Sequence, residues 1–210
     1  MTILIETVRV RGGRAPLWYL HLRRLVRSCK ALGIPFPPVL RVPEGGADRV
    51  HRFEVGPKGV SLAERQVPSP APVHLVTVPT VHPGYSHKTT ARDLFGQAEQ
   101  AAVRSGGNAP LLLTARGLVA EGSIWCLYWW EGDRIAGPAL DLGILEGVSR
   151  MRIEEVAGPV VERKIRLEEL AGRALFLSNA VRGIIEPETF DSVVVPRHSG
   201  IEGLREAFWP

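Results

Sequence analysis

The chain has 210 residues, of which 45% are hydrophobic and 23% charged, and carries a net charge of +4 that comes largely from arginine. This length can bury one large core or two small ones; the absence of a long unbroken apolar run excludes a spanning helix, and the hydrophobic fraction excludes wholesale disorder.

The opening "MTILIETVRV" reaches Glu6 too soon for a signal peptide's apolar region, so a cytoplasmic location is expected. Cys29 and Cys126 lie far apart and outside any CxxC or Cys/His cluster, so neither a disulfide framework nor a metal site is expected. The basic residues are scattered rather than grouped. That pattern argues against nucleic acid and favours an anionic small molecule as partner.

In chain order, "ILIETVRVRGG" predicts a strand that ends at Gly12-Gly13. A helix follows over "LWYLHLRRLVRSCKALG", with Leu22, Leu25, Val26, Cys29 and Leu32 as its apolar face and Gly33 as its stop. Strands are expected near "RVHRFEV" and "PVHLVTVP". The proline-bearing residues 66–84 are the best candidate for an interdomain linker.

The next predicted helix belongs to "HKTTARDLFGQAEQAA", with Leu94, Phe95, Ala98, Ala101 and Ala102 on its apolar face and Gly106-Gly107 after it. The stretch "PLLLTARGLVAEGSIWCLYWWEGDRI" reads as a β-meander, with the tryptophan-rich segment as a core strand. "GILEGVSRMRIEEVA" begins as a glycine loop and becomes a helix, and "RALFLSNAVRGIIEP" pairs a short strand with a polar loop. Strands and helices interleave, which predicts an α/β (α+β) protein of two small subdomains, residues 1–82 and 83–210.

Taken alone, Lys88 reads as a solvated surface residue. Its neighbours suggest otherwise. The blocks "ETVRVRGG", "LHLRRLVRSCKALGI", "HKTTARDLFGQA", "LLLTARGLVAEGS", "LGILEGVSR" and "FLSNAVRGIIEPE" occur in the order and at roughly the spacing of the fold-type IV pyridoxal-phosphate enzymes. The chain resembles this family along nearly its whole length. The family includes branched-chain and D-amino acid aminotransferases and aminodeoxychorismate lyases.

The resemblance implies pyridoxal 5'-phosphate as cofactor and a homodimer with its site near the domain and subunit interfaces. It implies that Lys88 bonds covalently to the cofactor and then shuttles protons, which requires a lysine that is partly neutral. Glu121 in "LVAEGS" would face the cofactor's pyridine nitrogen. Arg24 would reach the phosphate, while Arg23 stays an exposed helix residue. Val148 and Ser149 would offer backbone N–H groups to the phosphate at a helix start, and Ser149 also its hydroxyl. Leu145 would pack beside the ring, and Asn179 and Ala180 would fall on the phosphate's remaining side. His87 would be structural.

Arg92 follows Lys88 by four residues, and "SNAVRGIIEP" looks like the asparagine-containing block of the lyases. Both features tilt the resemblance towards aminodeoxychorismate lyase, which converts 4-amino-4-deoxychorismate to 4-aminobenzoate and pyruvate for folate synthesis. The alternatives are an aminotransferase of branched-chain or D-amino acids and a non-catalytic binding protein of the same fold. Arg92 or Arg9 would help bind the anionic amine substrate, with Thr7 nearby. Family members carry a further strand and an aromatic- and glycine-rich loop before the "ETVRV" block, whereas this chain begins "MTIL". An N-terminally shortened architecture is therefore expected, in which either the pocket closes differently or the usual activity is altered or lost.

Overall fold

The computed structural model describes residues 2–210. β1 (Leu4–Val10), β2 (Arg49–Gly56) and β3 (Gly59–Gln66) form an antiparallel sheet in that order. Side chains alternate across a strand, so β1 sends Leu4 and Glu6 to one face and Ile5 and Thr7 to the other.

Helix α1 (Trp18–Leu32) packs on the Leu4/Glu6 face, where Leu25, Cys29, Ile34 and Val55 close a small core. It stops at Gly33, whose φ of 63° is the left-handed conformation that a glycine C-cap adopts readily. The buried face of α1 differs from the predicted apolar stripe. It holds Leu20, His21, Arg24, Leu25, Ser28 and Cys29, while Val26 and Leu32 are exposed. The physical reason is Glu6, which lies opposite and pairs with His21 and Arg24.

β3 has no hydrophobic alternation and is exposed along its full length, so nothing in its pattern signals an edge strand. The chain then crosses through 67–73 to β4 (His74–Val81), which pairs in parallel with β5 (Ala109–Leu113). Part of the expected 66–84 linker is thus a strand. The change of sheet falls ahead of the 82/83 division, because β4 hydrogen-bonds to the second half of the chain. Pro79 is accommodated where the β4–β5 register shifts between Thr77 and Val81.

Two five-stranded sheets make up the larger part of the molecule. One has the order β13-β12-β4-β5-β6, using β6 (Val119–Gly122), β12 (Thr189–Phe190) and β13 (Val193–Val194). The other has the order β11-β10-β7-β8-β9, using β7 (Cys126–Glu131), β8 (Arg134–Pro138), β9 (Val161–Arg163), β10 (Leu175–Asn179) and β11 (Gly183–Ile185).

The expected meander is therefore two hairpins in two sheets, with the switch at 123–125, where Gly122 N–H donates to Trp125 O. Leu75, Leu111, Trp125, Leu127, Trp129 and Leu177 join the two sheets in one core. Tyr128, on the opposite face of β7, packs with Phe176 beneath α3 (Val148–Ala157) and α4 (Ile201–Phe208). Helix α2 (Asp93–Arg104) covers β4 and β5 through Phe95, Ala98, Ala101 and Ala102, and leaves Leu94 exposed. The result is the α+β architecture expected from the sequence.

Candidate active site

The Lys88 loop lies between β4 and α2 and is tied down at several points. Ile5 N–H donates to Lys88 O at 2.8 Å, and Thr90 N–H donates to Ile3 O at 3.0 Å, so the loop runs along the free edge of β1. Tyr85 N–H donates to Gly143 O, and the Tyr85 hydroxyl both donates to Thr89 O and accepts from Thr89 N–H. His87 lies outside the cavity lining, with Nδ1 3.1 Å from Ser28 Oγ.

This bracing directs Lys88 into a cavity of about 350 Å³, within the range of small-molecule sites. Lys88 is half-buried and lines the cavity wall. Burial disfavours its ammonium form, and the Arg24 and Arg92 guanidiniums add repulsion. Together they push Lys88 down to about 7 against the opposing pull of Glu6 and Glu121. A large share of the amine is neutral near pH 7.

Apart from Arg9, the residues singled out above for catalysis, cofactor or substrate line this same cavity: Thr7, Arg24, Lys88, Arg92, Glu121, Leu145, Val148, Ser149, Asn179 and Ala180. Glu121 ends β6 and is buried. Its Oε1 lies 3.0 Å from His82 Nε2 and accepts from Leu145 N–H at 3.0 Å. His82 Nδ1 accepts from Gly84 N–H at 3.2 Å, which fixes the tautomer with the proton on Nε2, donating to Glu121. With Oε1 doubly engaged, Oε2 makes no hydrogen bond among the described residues.

The opposite end of the cavity is built for an anion. Helix α3 begins after Gly147 with no side-chain cap, so its first N–H groups have no intrahelical partner and present the positive end of the helix dipole. A Cβ at Gly147 would sit 3.0 Å from Cys126 Sγ, so glycine keeps this approach open. Ser178 Oγ donates to Ser149 Oγ at 2.8 Å. Asn179 Oδ1 accepts from Val181 and Arg182 N–H, so its side chain shapes the β10–β11 turn at the cavity wall.

Arg92 Nη2 donates to Ser123 O at 2.7 Å, and its guanidinium lies over Phe95. Its Nη1 is buried without a partner among the described residues. Thr7 and Arg52 are cross-strand partners on the cavity face of the first sheet, and Arg65 of β3 joins them in the lining. Arg9 does not take part. It lies outside the lining and donates to Asp48 Oδ2 at 2.6 Å, an opposite charge near enough to capture it.

Sequence reasoning missed Glu6, His21, His82, Ser178 and Arg52. Glu6, His21 and Ser178 lie inside motifs already quoted. The available signal was therefore the polar residue at a position whose neighbours predict burial.

A family model described as amino-transferase class IV matches residues 60–186. Over 76 residues the chain is 43% identical to an aminodeoxychorismate lyase of Bacillus subtilis (strain 168); the match covers 34% of this chain and 24% of that relative, about a quarter of its length. A crystal structure from Legionella pneumophila, provisionally named 4-amino-4-deoxychorismate lyase, shares the fold with a TM-score of 0.82 at 21% identity, over 96% of this chain and 88% of that one. A hypothetical aminotransferase from Mycobacterium tuberculosis, in its pyridoxal-phosphate-bound form, gives a TM-score of 0.85 at 21% identity, over 98% and 87%. At that identity the two structures speak for the fold alone.

Proposed function

We propose, from the premise that this chain belongs to the class IV amino-transferase family, that it is a pyridoxal-phosphate-dependent lyase converting 4-amino-4-deoxychorismate to 4-aminobenzoate and pyruvate. The observation that carries the reading is a lysine pushed down to about 7 inside a cavity that also receives Glu121, Arg24 and the start of α3. The residues fit the cofactor. A partly neutral amine suits its aldehyde, a carboxylate with one unpaired oxygen suits its ring nitrogen, and a helix start beside an arginine suits its phosphate.

Pyridoxal phosphate supplies an aldehyde that bonds to amines and a protonated ring that takes up the electron pair left when a neighbouring carbon loses its proton. Lys88, as the partly neutral amine, would hold the cofactor through Nζ. Released by substrate, it takes the proton from the substrate carbon bearing the nitrogen and returns one to the methylene carbon of the departing enolpyruvyl group. Glu121, held by His82 and Leu145 N–H, would keep a proton on the ring nitrogen through its unengaged Oε2. Arg24, Val148 and Ser149 would hold the phosphate, and Leu145 would pack beside the ring. Asn179 and Ala180 would close the phosphate's remaining side.

Two observations support a dianionic substrate over a simple amino acid. Arg92 Nη1 is buried and unpaired, ready for a carboxylate, and Arg65 adds positive charge to the same cavity, whereas the charge of Arg52 is balanced by Glu54, whose Oε1 accepts from Arg52 Nε and Nη2 at 3.0 and 2.8 Å. The 43% identity with the Bacillus lyase points the same way. Homodimerisation, a cytoplasmic location and a place in folate synthesis complete the proposal on family likeness.

The test is product formation from 4-amino-4-deoxychorismate with no keto acid present. Equal amounts of 4-aminobenzoate and pyruvate support the lyase. Turnover of branched-chain or D-amino acids that requires a keto acid, with no 4-aminobenzoate formed, would replace it with an aminotransferase.

A further inference from the structure

Beneath the cavity, a fully protein-enclosed ionic cluster joins β1 to α1. Arg24 donates from Nε to Glu6 Oε1 at 3.0 Å and from Nη2 to Glu6 Oε2 at 2.5 Å. His21 Nδ1 lies 2.6 Å from the same Oε2. Glu6, His21 and Arg24 are 2%, 1% and 4% exposed, so water contributes little to holding them in place. His21 and Arg24 are three residues apart and share one face of the helix.

A guanidinium is planar, and engaging Nε and Nη2 on one carboxylate fixes both its plane and its rotation. Nη1 then makes no hydrogen bond among the described residues, while Arg24 lines the cavity. We propose that Glu6 is a positioning residue that grips Arg24 along one edge so that Nη1 is presented to the phosphate end of the cavity, with His21 steadying the carboxylate.

The assignment rests on the cofactor reading above, and the charges agree with it. Burial raises the Glu6 carboxyl, but Arg24 and the His21 hydrogen bond outweigh this and hold it at about 2, so Glu6 is ionised at any working pH. Burial lowers His21, which stays neutral and donates through Nδ1. Glu6 thus balances Arg24, and a preformed single-nitrogen contact avoids the entropic cost of ordering a long side chain when an anion arrives.

The experiment compares wild type with Glu6→Gln, Glu6→Asp, Arg24→Gln and the double variant Glu6→Gln/Arg24→Gln. Three titrations are run: pyridoxal phosphate, pyridoxal lacking the phosphate, and inorganic phosphate alone, with thermal melting confirming the fold. Gln keeps the size without the charge, and Asp keeps the charge but is too short for the two-point grip. Both Glu6 variants are expected to weaken pyridoxal phosphate and inorganic phosphate by about tenfold or more, the scale of one charge-assisted hydrogen bond. Pyridoxal binding should be unchanged, and the double variant should bind no more weakly than Arg24→Gln.

Unchanged phosphate affinity, equal weakening of pyridoxal, full affinity in Glu6→Asp, or additive losses in the double variant each overturn the positioning role. If wild type takes up no pyridoxal phosphate, the functional reading fails. The inorganic phosphate titration still decides the role of Glu6: no weakening in the variants overturns it.

Discussion

His82 Nε2 donates to Glu121 Oε1 at 3.0 Å, and the same oxygen accepts the Leu145 N–H, which leaves Oε2 as the carboxylate's unengaged atom in the cavity. A histidine at the end of β4 thereby sets the direction of a carboxylate at the end of β6. Glu121→Gln is expected to cut turnover by about 10²–10³-fold, the usual effect of removing a preorganised charge from the reacting group. Covalent uptake of the cofactor at Lys88 should persist, so absorbance and steady-state rates separate the two effects. His82→Ala should cost about 1.5–3 kcal/mol of stability through the lost hydrogen bond to a charged carboxylate, whose Oε1 keeps only the Leu145 N–H, with a smaller loss of turnover. Chemical denaturation reads the first effect directly.

The depressed Lys88 value makes a claim about pH. With a folded value of about 7 and an ordinary value of 10.5, the unfolded chain binds the extra proton between these limits. Stability of the cofactor-free protein should therefore rise with pH across roughly 7 to 10.5, at up to about 1.4 kcal/mol per pH unit from this group. Lys88→Met removes the buried amine. It should be more stable than wild type below pH 7, with the gap closing as pH approaches 10.5, as urea unfolding at several pH values would show.

Arg92 is expected to act on two observables. Its charge lowers Lys88, so Arg92→Leu should move the pH midpoint of aldehyde uptake upward from about 7. Its unpaired Nη1 is placed for a substrate carboxylate, so the same variant should raise KM for the dianionic substrate by about ten- to a hundredfold, as loss of a charged hydrogen bond does. A KM increase with no shift of the midpoint would separate the two roles.

Ser149→Ala should weaken pyridoxal phosphate by about tenfold to a hundredfold, the value of one hydrogen bond to a charged group, and leave pyridoxal unaffected. Ser178→Ala should produce a smaller change in the same direction, because Ser178 Oγ reaches the site only through Ser149 Oγ. Cofactor titration of the two variants checks the order.

Much of the site was legible because its residues sit in short contiguous blocks whose local geometry carries the chemistry. Lys88 precedes a helix, Glu121 ends a strand, and Val148 and Ser149 open a helix after a glycine. Illegible features depended on tertiary partners. The α1 stripe was misjudged because Glu6, which turns His21 and Arg24 inward, lies on a different element. β3 carries no alternation because neither of its faces is buried. The split of the expected meander at 123–125 depends on which sheet captures the tryptophan strand, and Trp125 and Trp129 pack equally well as core in either arrangement by pattern alone. Arg9 looked available until Asp48, far along the chain, proved to be its partner.

The most direct measurement is borohydride reduction of the protein incubated with pyridoxal phosphate, followed by mass analysis of the peptides and a parallel run on Lys88→Ala. A single stable cofactor adduct on the Lys88 peptide, formed with a pH midpoint near 7 and absent from the variant, is the predicted result. No adduct in wild type, or equal labelling of the variant at another lysine, would contradict the assignment of this cavity as a pyridoxal-phosphate site.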